Sequence, residues 1–344
     1  ARARELYPWP EYTTAQLDAN FTWQQEWGDA CSGSGRIFDR SNLRVTYPLE
    51  SNPLANKLSR IHKGYYKPSD FIIADAKDAD MAFGIPGMGP RPDGKTKSRG
   101  EFLQSIRDIC RSGIIDIMLT SASNGEILAR EGLFEKTPAT LAIRGNDTTD
   151  IWRVRGGEYH LEPSRPFRTA SLAQASRFCS LTLYSMTFNN DLGADYDSLA
   201  AFAEYREECV RLGVNYFLEV FNPNVPRNLQ AESMPFFVND MIVRALAGMT
   251  EPERPKFLKI AYNGAKALDE LVTYDPSLVV GILGGSAGTT RDCLELLRQA
   301  EWNGARVALF GRKINLAESP LDLVALFRPV VEGLIAPKEA VRAY

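Results

Sequence analysis

A lysine lies in the middle of a strongly apolar segment of the chain. Lys259 occupies the third position of residues 257–261, which read Phe-Leu-Lys-Ile-Ala. If this segment is a buried strand, burial favours the neutral amine over the ammonium. A neutral amine can attack a carbonyl carbon and form a Schiff base. The alternative is a structural role, in which the lysine reaches the strand end and pairs with Glu219 or Asp75.

Glycines and one arginine near the end of the chain indicate a phosphate site. Gly284, Gly285 and Ser286 follow one apolar run and precede a helical pattern, and Gly311 and Arg312 follow the next run. Glycines allow a phosphate to approach the backbone, and a helix N-terminus presents free N–H groups to it. An arginine suits phosphate oxygens. Glycine-rich turns are common, but two of them at neighbouring strand ends favour phosphate.

Four other polar side chains follow or end apolar runs. Tyr184 is a candidate proton carrier, although buried tyrosines more often serve as core aromatics. Asp75 and Glu219 could orient the lysine, move protons or bind hydroxyl groups, or they could form structural ion pairs. Arg144 could bind a second anionic or hydroxylated end of a substrate.

Eight short apolar runs, rich in β-branched residues, alternate with amphipathic segments from residue 70 onward. The predicted strands are 71–74, 114–119, 139–143, 179–184, 216–220, 257–260, 278–283 and 306–310. The predicted helices between and after them are 101–112, 124–132, 169–177, 195–212, 234–248, 264–273, 288–301 and 320–333. Nearly continuous apolar strands are typical of a parallel sheet covered on both faces.

Eight successive strand-then-helix units in about 270 residues predict a (β/α)₈ TIM barrel. A doubly wound open sheet is the alternative, but the chain lacks the glycine fingerprint of dinucleotide-binding sheets. We expect residues 70–344 to form the barrel and residues 1–69 to form an N-terminal extension with helices near 13–31 and 51–63. Gly113, Gly213 and Gly304 are expected to end helices, and Asp197 to cap one.

The order of these motifs resembles the class I aldolase superfamily. Residues 257–264, Phe-Leu-Lys-Ile-Ala-Tyr-Asn-Gly, look like the Schiff-base strand of archaeal-type fructose-bisphosphate aldolases. Residues 216–220 resemble the fifth strand of class I tagatose-bisphosphate aldolases, and residues 283–286 and 309–312 resemble the superfamily's two phosphate loops. Residues 73–75 and 182–184 resemble its first-strand aspartate and its fourth-strand tyrosine. The resemblance covers residues 70–315, and residues 1–69 have no counterpart in it.

This resemblance implies a metal-independent lyase that needs no cofactor and acts on a phosphorylated ketose through a lysine Schiff base. In this resemblance Lys259 would be the imine lysine, Tyr184 the proton carrier, Asp75 a partner of a substrate hydroxyl group or of a proton, and the glycine loops with Arg312 the phosphate site. From the residues alone, either Asp75 or Glu219 is expected to lie near Tyr184 and to assist it. Two other kinds of function stay open. One is a different imine or acyl-transfer reaction of a transaldolase, deoxysugar-phosphate or thiolase type, and the other is non-catalytic binding of a phosphosugar.

Composition narrows the classes of partner. A formal net charge of −3 argues against a broad nucleic-acid-binding surface. No run approaches about 18 consecutive apolar residues, so no membrane span is expected. Two histidines, His62 and His160, are too few for a three-histidine metal site. Five widely spaced cysteines are typical of a reducing cytoplasm, and a homo-oligomer is the usual assembly of such enzymes.

Overall fold

The computed structural model describes residues 53–148, 154–284 and 288–344. Within them, eight parallel strands close into a barrel in the order β1, β2, β3, β6, β7, β8, β9 and β10. A separate two-stranded hairpin, β4 and β5, follows β3 in the chain. The strands are β1 Ile72–Lys77, β2 Ile117–Thr120, β3 Thr140–Arg144, β4 Asp147–Thr148, β5 Pro166–Phe167, β6 Leu181–Thr187, β7 Asn215–Phe221, β8 Leu258–Ile260, β9 Val280–Leu283 and β10 Val307–Phe310.

The predicted (β/α)₈ TIM barrel is thereby confirmed, and each of the eight predicted strands is found at its expected place. Helices separate successive barrel strands. They are α1 Pro53–His62, α2 Ala79–Phe83, α3 Arg99–Ser112, α4 Ala122–Arg130, α5 Leu172–Ala175, α6 Leu192–Leu212, α7 Met234–Ala247, α8 Ala265–Tyr274, α9 Thr290–Trp302, α10 Arg312–Asn315, α11 Pro320–Ala325, α12 Phe327–Val331 and α13 Pro337–Ala343. None of these helices is long and apolar enough to cross a membrane.

The predicted helix ends are largely confirmed. Gly113 and Gly213 adopt left-handed backbone angles, with φ of 72° and 66°, directly after α3 and α6. The prediction that Asp197 caps a helix is wrong. The structure starts α6 earlier, at a cap formed by Asp191, whose side chain accepts a hydrogen bond from the backbone of Ala194 at 3.0 Å.

The N-terminal end of the barrel is closed by α1, at the position of the helix predicted for 51–63. Leu54 and Ile61 of this helix are buried and belong to the same apolar cluster as the inward-facing residues of the strands. The cluster also contains Ile72, Ala74, Ile117, Ala142, Leu181, Phe217, Phe257, Val279 and Val307. The helix predicted for 13–31 lies outside the described residues, and the division of the chain at residue 69 stays a prediction.

A buried carboxylate fastens α1 to the barrel. Asp116 binds Lys57 of α1 at 2.6 Å and Arg328 of α12 at 3.2 Å, and it accepts a hydrogen bond from the backbone of Ile73 at 2.9 Å. Burial lowers the pKa of Lys57, and Asp116 opposes that shift. An unpaired charge at this depth would be costly, so the three side chains depend on one another.

Replacing Asp116 with alanine should lower the free energy of unfolding by about 3–5 kcal/mol, because it leaves Lys57 buried without its partner. Chemical denaturation measures this change. The matched control is Asp93→Ala, which removes an exposed ion pair with Arg91 and should cost less than about 1 kcal/mol. Equal effects from the two substitutions would contradict the role assigned to Asp116.

Candidate active site

The alternation of side chains along the strands decides which residues enter the barrel. Residues that neighbour one another in a strand point to opposite faces. Phe217 and Phe257 belong to the interior cluster, so Glu219 and Lys259, each two residues further on, also point inward. They lie toward the carboxyl ends of β7 and β8, and the strand register makes them direct neighbours. This is the end at which barrels place their chemistry.

Lys259 and Glu219 form a buried ion pair. The Nζ atom of Lys259 lies 2.5 Å from Oε1 of Glu219, and the two residues are 6% and 1% exposed. The structure therefore confirms the pairing considered for this lysine. The same contact gives the ammonium a base to which it can pass its proton, which a Schiff-base lysine requires before it attacks a carbonyl.

Arg144, at the end of β3, connects this pair to the opposite wall of the barrel. Its guanidinium binds Asp78 at 2.5 Å, the hydroxyl of Ser185 at 2.7 Å and Oε2 of Glu219 at 3.2 Å. The Ser185 hydroxyl in turn donates to Oε2 of Glu219 at 2.7 Å. Arg144 is 3% exposed, so its geometry suits holding Glu219 in place better than binding a free anion.

The backbone beside Ser185 is held by an amide side chain. Asn146 accepts a hydrogen bond from the Ser185 backbone N–H at 2.6 Å and donates to the Ser185 carbonyl at 2.7 Å. This double contact joins the chain after β3 to β6. It fixes the position of the hydroxyl that bonds both Arg144 and Glu219.

The charges in this layer compensate one another. Burial tends to raise the pKa of Asp78, but Arg144 and Lys259 outweigh it and hold that pKa below its usual range. Burial disfavours the charge on Arg144, but Asp78 and Glu219 raise its pKa overall. Two carboxylates thus balance one guanidinium and one ammonium. A balanced set of charges can remain ionised in a site that excludes most water.

Asp75, which the sequence predicted as a partner of the lysine, lies on the other face of β1. It alternates with Ala74 and Ala76 of the interior cluster, and it is fully buried. Both of its carboxylate oxygens bind Lys77, at 2.8 and 2.6 Å. Burial raises its pKa, and Lys77 opposes that shift. The structure therefore does not bring Asp75 to Lys259.

Tyr184 also points away from the barrel interior. Its ring contacts Phe202 and Tyr205 of α6, with centroid distances of 4.9 and 4.5 Å. Burial raises the pKa of its hydroxyl. Tyr184 points outward because it stands one residue before the inward-facing Ser185. It is therefore a core aromatic residue, the alternative role that the sequence analysis left open.

The two glycine loops meet at the same end of the barrel. Lys313 donates to the carbonyl of Gly288 at 2.9 Å, which joins the loop after β9 to the start of α10. A Cβ at Gly311 would lie 2.8 Å from the Ala76 carbonyl oxygen, and one at Gly284 would lie 2.7 Å from the ring of Phe310. Close packing therefore requires glycine at both positions.

Two further predicted phosphate residues, Gly285 and Ser286, lie outside the described residues. Arg312 is described, and its guanidinium lies 5.5 Å from the centroid of the Phe83 ring. The phosphate site remains a prediction. The prediction is supported by the observation that the two loops follow neighbouring strands, β9 and β10.

Sequence reasoning did not select Asp78 and Ser185, which complete the polar layer. The alternation of inward- and outward-facing residues along each strand could have identified both of them. Asp78 stands two residues after Ala76, and Ser185 two residues after Leu183, and both of those apolar residues belong to the interior cluster. Once Lys259 is assumed to point inward, the period would have favoured Ser185 over Tyr184 and Asp78 over Asp75.

The fold is similar to that of several solved aldolase structures. One is an archaeal fructose-1,6-bisphosphate aldolase with its catalytic lysine covalently bound to the carbinolamine intermediate of the substrate. It is 17% identical to this chain, with a TM-score of 0.57 over 81% of this chain and all of that one. A fructose-bisphosphate aldolase from Slackia heliotrinireducens is 14% identical, with a TM-score of 0.56 over 89% of this chain and 95% of that one.

A third similar structure is a protein from Corynebacterium glutamicum. It is 15% identical, with a TM-score of 0.54 over 84% of this chain and all of that one. No protein-family model and no curated protein matches the sequence. At these identities the likeness establishes a shared barrel fold.

The low pKa of Asp78 makes its contribution to stability dependent on pH. A carboxyl whose pKa is lowered by folding stabilises the protein above its unfolded pKa, about 3.9, and loses that effect as the pH falls through the folded value. The difference in unfolding free energy between the wild type and Asp78→Asn should therefore shrink below about pH 4. Urea denaturation at several pH values measures it. A difference that grows on acidification would contradict the assignment.

Proposed function

We propose that this protein is a class I aldolase-type lyase that cleaves or forms a carbon–carbon bond in a phosphorylated ketose through a Schiff base on Lys259. The observation that carries the proposal is the buried lysine inside the barrel mouth, 2.5 Å from a carboxylate that can accept its proton. Lysines are rarely buried without such a purpose or partner.

The first half of the reaction forms the imine. Lys259 passes a proton to Glu219, and the free amine attacks the ketone carbon. The resulting carbinolamine takes that proton from Glu219 onto its hydroxyl group and loses water, which leaves an iminium ion. Ser185 and Arg144 hold Oε2 of Glu219 throughout, so that Oε1 stays directed at the lysine.

The second half of the reaction breaks the carbon–carbon bond. A hydroxyl group two carbons from the imine carbon loses its proton to Glu219, and its carbon leaves as an aldehyde. The electron pair of the broken bond forms the carbon–carbon double bond of an enamine, and the π pair of the iminium becomes the lone pair of the nitrogen. Glu219 returns the proton to the enamine carbon, and water hydrolyses the iminium to release the second product. Glu219 takes this role because it contacts the lysine, whereas Asp75 and Tyr184 face the helices.

The phosphate of the ketose would lie at the loops after β9 and β10. In this proposal Gly284, Gly285, Ser286 and Gly311 let the backbone approach the phosphate, and Arg312 balances its charge. A phosphate fixed there would place the ketone near the amine on β8, which adjoins β9. The shared fold with an aldolase whose catalytic lysine carries a carbinolamine supports this arrangement.

Borohydride reduction in the presence of dihydroxyacetone phosphate should leave a stable adduct on the peptide containing Lys259, because reduction fixes the imine. Mass spectrometry of the intact protein and of its peptides reads the adduct. The Lys259→Met variant should give neither adduct nor turnover. Lys256→Met is the matched control, since Lys256 is exposed, and it should behave as the wild type. Turnover retained by Lys259→Met would refute the mechanism.

The assignment of proton transfer to Glu219 predicts different effects on turnover for substitutions at Glu219 and at Tyr184. Glu219→Gln should lower turnover roughly 10²- to 10⁴-fold, the usual contribution of a general acid–base group. Tyr184→Phe should leave turnover nearly unchanged, because its hydroxyl lies outside the barrel. Steady-state rates compare the two variants, and circular dichroism checks that both are folded. The opposite order of activities would assign the proton transfer to Tyr184 instead.

The Lys259–Glu219 ion pair also favours a second candidate, a phosphosugar-binding protein in which the lysine is structural. In that case phosphosugars should raise the midpoint of thermal unfolding, but borohydride should trap no adduct on Lys259. The trapping experiment therefore decides between the two functions.

A further inference from the structure

The strand that carries Lys259 is the shortest barrel strand among the described residues. It has three residues, Leu258–Ile260, so the lysine lies one residue from its end. The pairing of β8 with β7 on one side and with β9 on the other ends at Ile260. Residues 261–264 then continue without regular structure to the start of α8. The backbone of the lysine is therefore supported by strand pairing on the N-terminal side but hardly at all toward the barrel mouth.

Two asparagine side chains join the ends of β7 and β8 beyond this pairing. Nδ2 of Asn222 donates to Oδ1 of Asn263 at 2.8 Å, and Nδ2 of Asn263 donates to Oδ1 of Asn222 at 2.9 Å. Asn222 directly follows the last residue of β7, and Asn263 belongs to the irregular segment after β8. We name these two residues the amide pair.

The amide pair joins the same two chain segments that form the buried ion pair. Glu219 on β7 and Lys259 on β8 are direct neighbours in the strand register. Asn222 and Asn263 follow them in the two segments, at the carboxyl ends of the strands. The ion pair is thus bounded by the regular pairing of β7 with β8 on one side and by the amide pair on the other.

The chemistry of the amide pair suits a structural link. Each carboxamide donates one of the two hydrogen bonds and accepts the other, so both bonds depend on both residues. A link made from charged side chains would disturb the balance of two carboxylates, one guanidinium and one ammonium in the adjoining layer. Both asparagines are half-buried, which limits competition from water for these hydrogen bonds.

The placement of Lys259 matters because the proposed reaction begins with proton transfer to Glu219. A group that accepts a proton must lie within about 2.6–3.2 Å of its donor. A displacement of about 1 Å at a reacting group can lower a rate about 10²-fold. Oε2 of Glu219 is held by Ser185 and Arg144, whereas the backbone of Lys259 lies at the end of its strand. A link across the strand ends would supply the missing constraint.

We propose that Asn222 and Asn263 are positioning residues, which hold the backbone of Lys259 beside Glu219 during formation of the imine. The inference rests on the proposed aldolase function, since it concerns the placement of the same lysine.

The rate constant of adduct formation with dihydroxyacetone phosphate, read by quenching with borohydride at successive times, tests the inference. Asn222→Ala and Asn263→Ala should each lower it about 10- to 100-fold, the effect of a displacement of about 1 Å. The double variant should be no slower than the slower single variant, because either substitution already removes both hydrogen bonds. The ketone concentration that gives half the maximal rate should not change, because the amide pair acts through the lysine.

Asn239→Ala is the matched control. Asn239 of α7 donates to the carbonyl of Ala267 and to the carboxylate of Glu270, both in α8 and each at 2.8 Å. It therefore joins the helices that follow the same two strands. Its substitution should lower the midpoint of thermal unfolding but leave the rate constant unchanged.

Asn263→Asp keeps the test open if the alanine variants do not fold. The side chain keeps its shape and can accept the hydrogen bond from Asn222, but its second oxygen would face Oδ1 of Asn222 without a proton between them. The rate constant should fall in this variant as well.

The two proposals fail in different ways. If no ketone yields an adduct on Lys259 of the wild type, the aldolase function fails. If the wild type forms the adduct but the variants of the amide pair react equally fast, or the two single effects multiply in the double variant, the positioning role is refuted. It is also refuted if Asn239→Ala slows the reaction as strongly. A raised half-maximal ketone concentration with an unchanged maximal rate would refute it too, since the amides would then bind the substrate.

Discussion

The carboxylate of Glu219 is the group on which the interior of the barrel mouth depends. One oxygen binds the ammonium of Lys259, and the other binds Arg144 and the hydroxyl of Ser185. A buried carboxylate with fewer partners would cost several kcal/mol, and so would either buried cation alone. The four side chains therefore stabilise one another, and they come from four different strands. This shared requirement fixes the relative positions of β3, β6, β7 and β8 at their carboxyl ends.

The two ends of the barrel interior are lined by different kinds of side chain. At the N-terminal end, α1 and the interior cluster exclude water, and Asp116 fastens the helix through two cations. At the carboxyl end, polar side chains replace apolar ones on the same inward faces of the strands. Along each strand the inward-facing residues therefore change from apolar residues that pack the core to polar residues that can take part in chemistry. This is the usual arrangement in this fold.

The placement of Lys259 gives the proposed reaction a direction across the barrel. The glycine loops follow β9 and β10, and the lysine lies on β8, the strand next to β9. A phosphate held by these loops would then lie to one side of the amine. In this arrangement the contacts to the phosphate reside in loops, while the reactive groups stand on rigid strands.

The sequence by itself determined the number and order of the barrel strands and the positions of most helices, because apolar runs and local periodicity are properties of neighbouring residues. The same patterns provided Lys259 as the candidate nucleophile. The sequence also provided Glu219 and Arg144 as candidates. It did not decide which face each polar side chain would join, so Asp75 and Tyr184 were selected although both point to the helices. Only the closed barrel decided that, because strand register fixes which alternate residues share the interior. Asp78 and Ser185 enter the same polar layer as Lys259, although each is more than 70 residues away from it in the chain. The local sequence pattern contains no information about such distant neighbours.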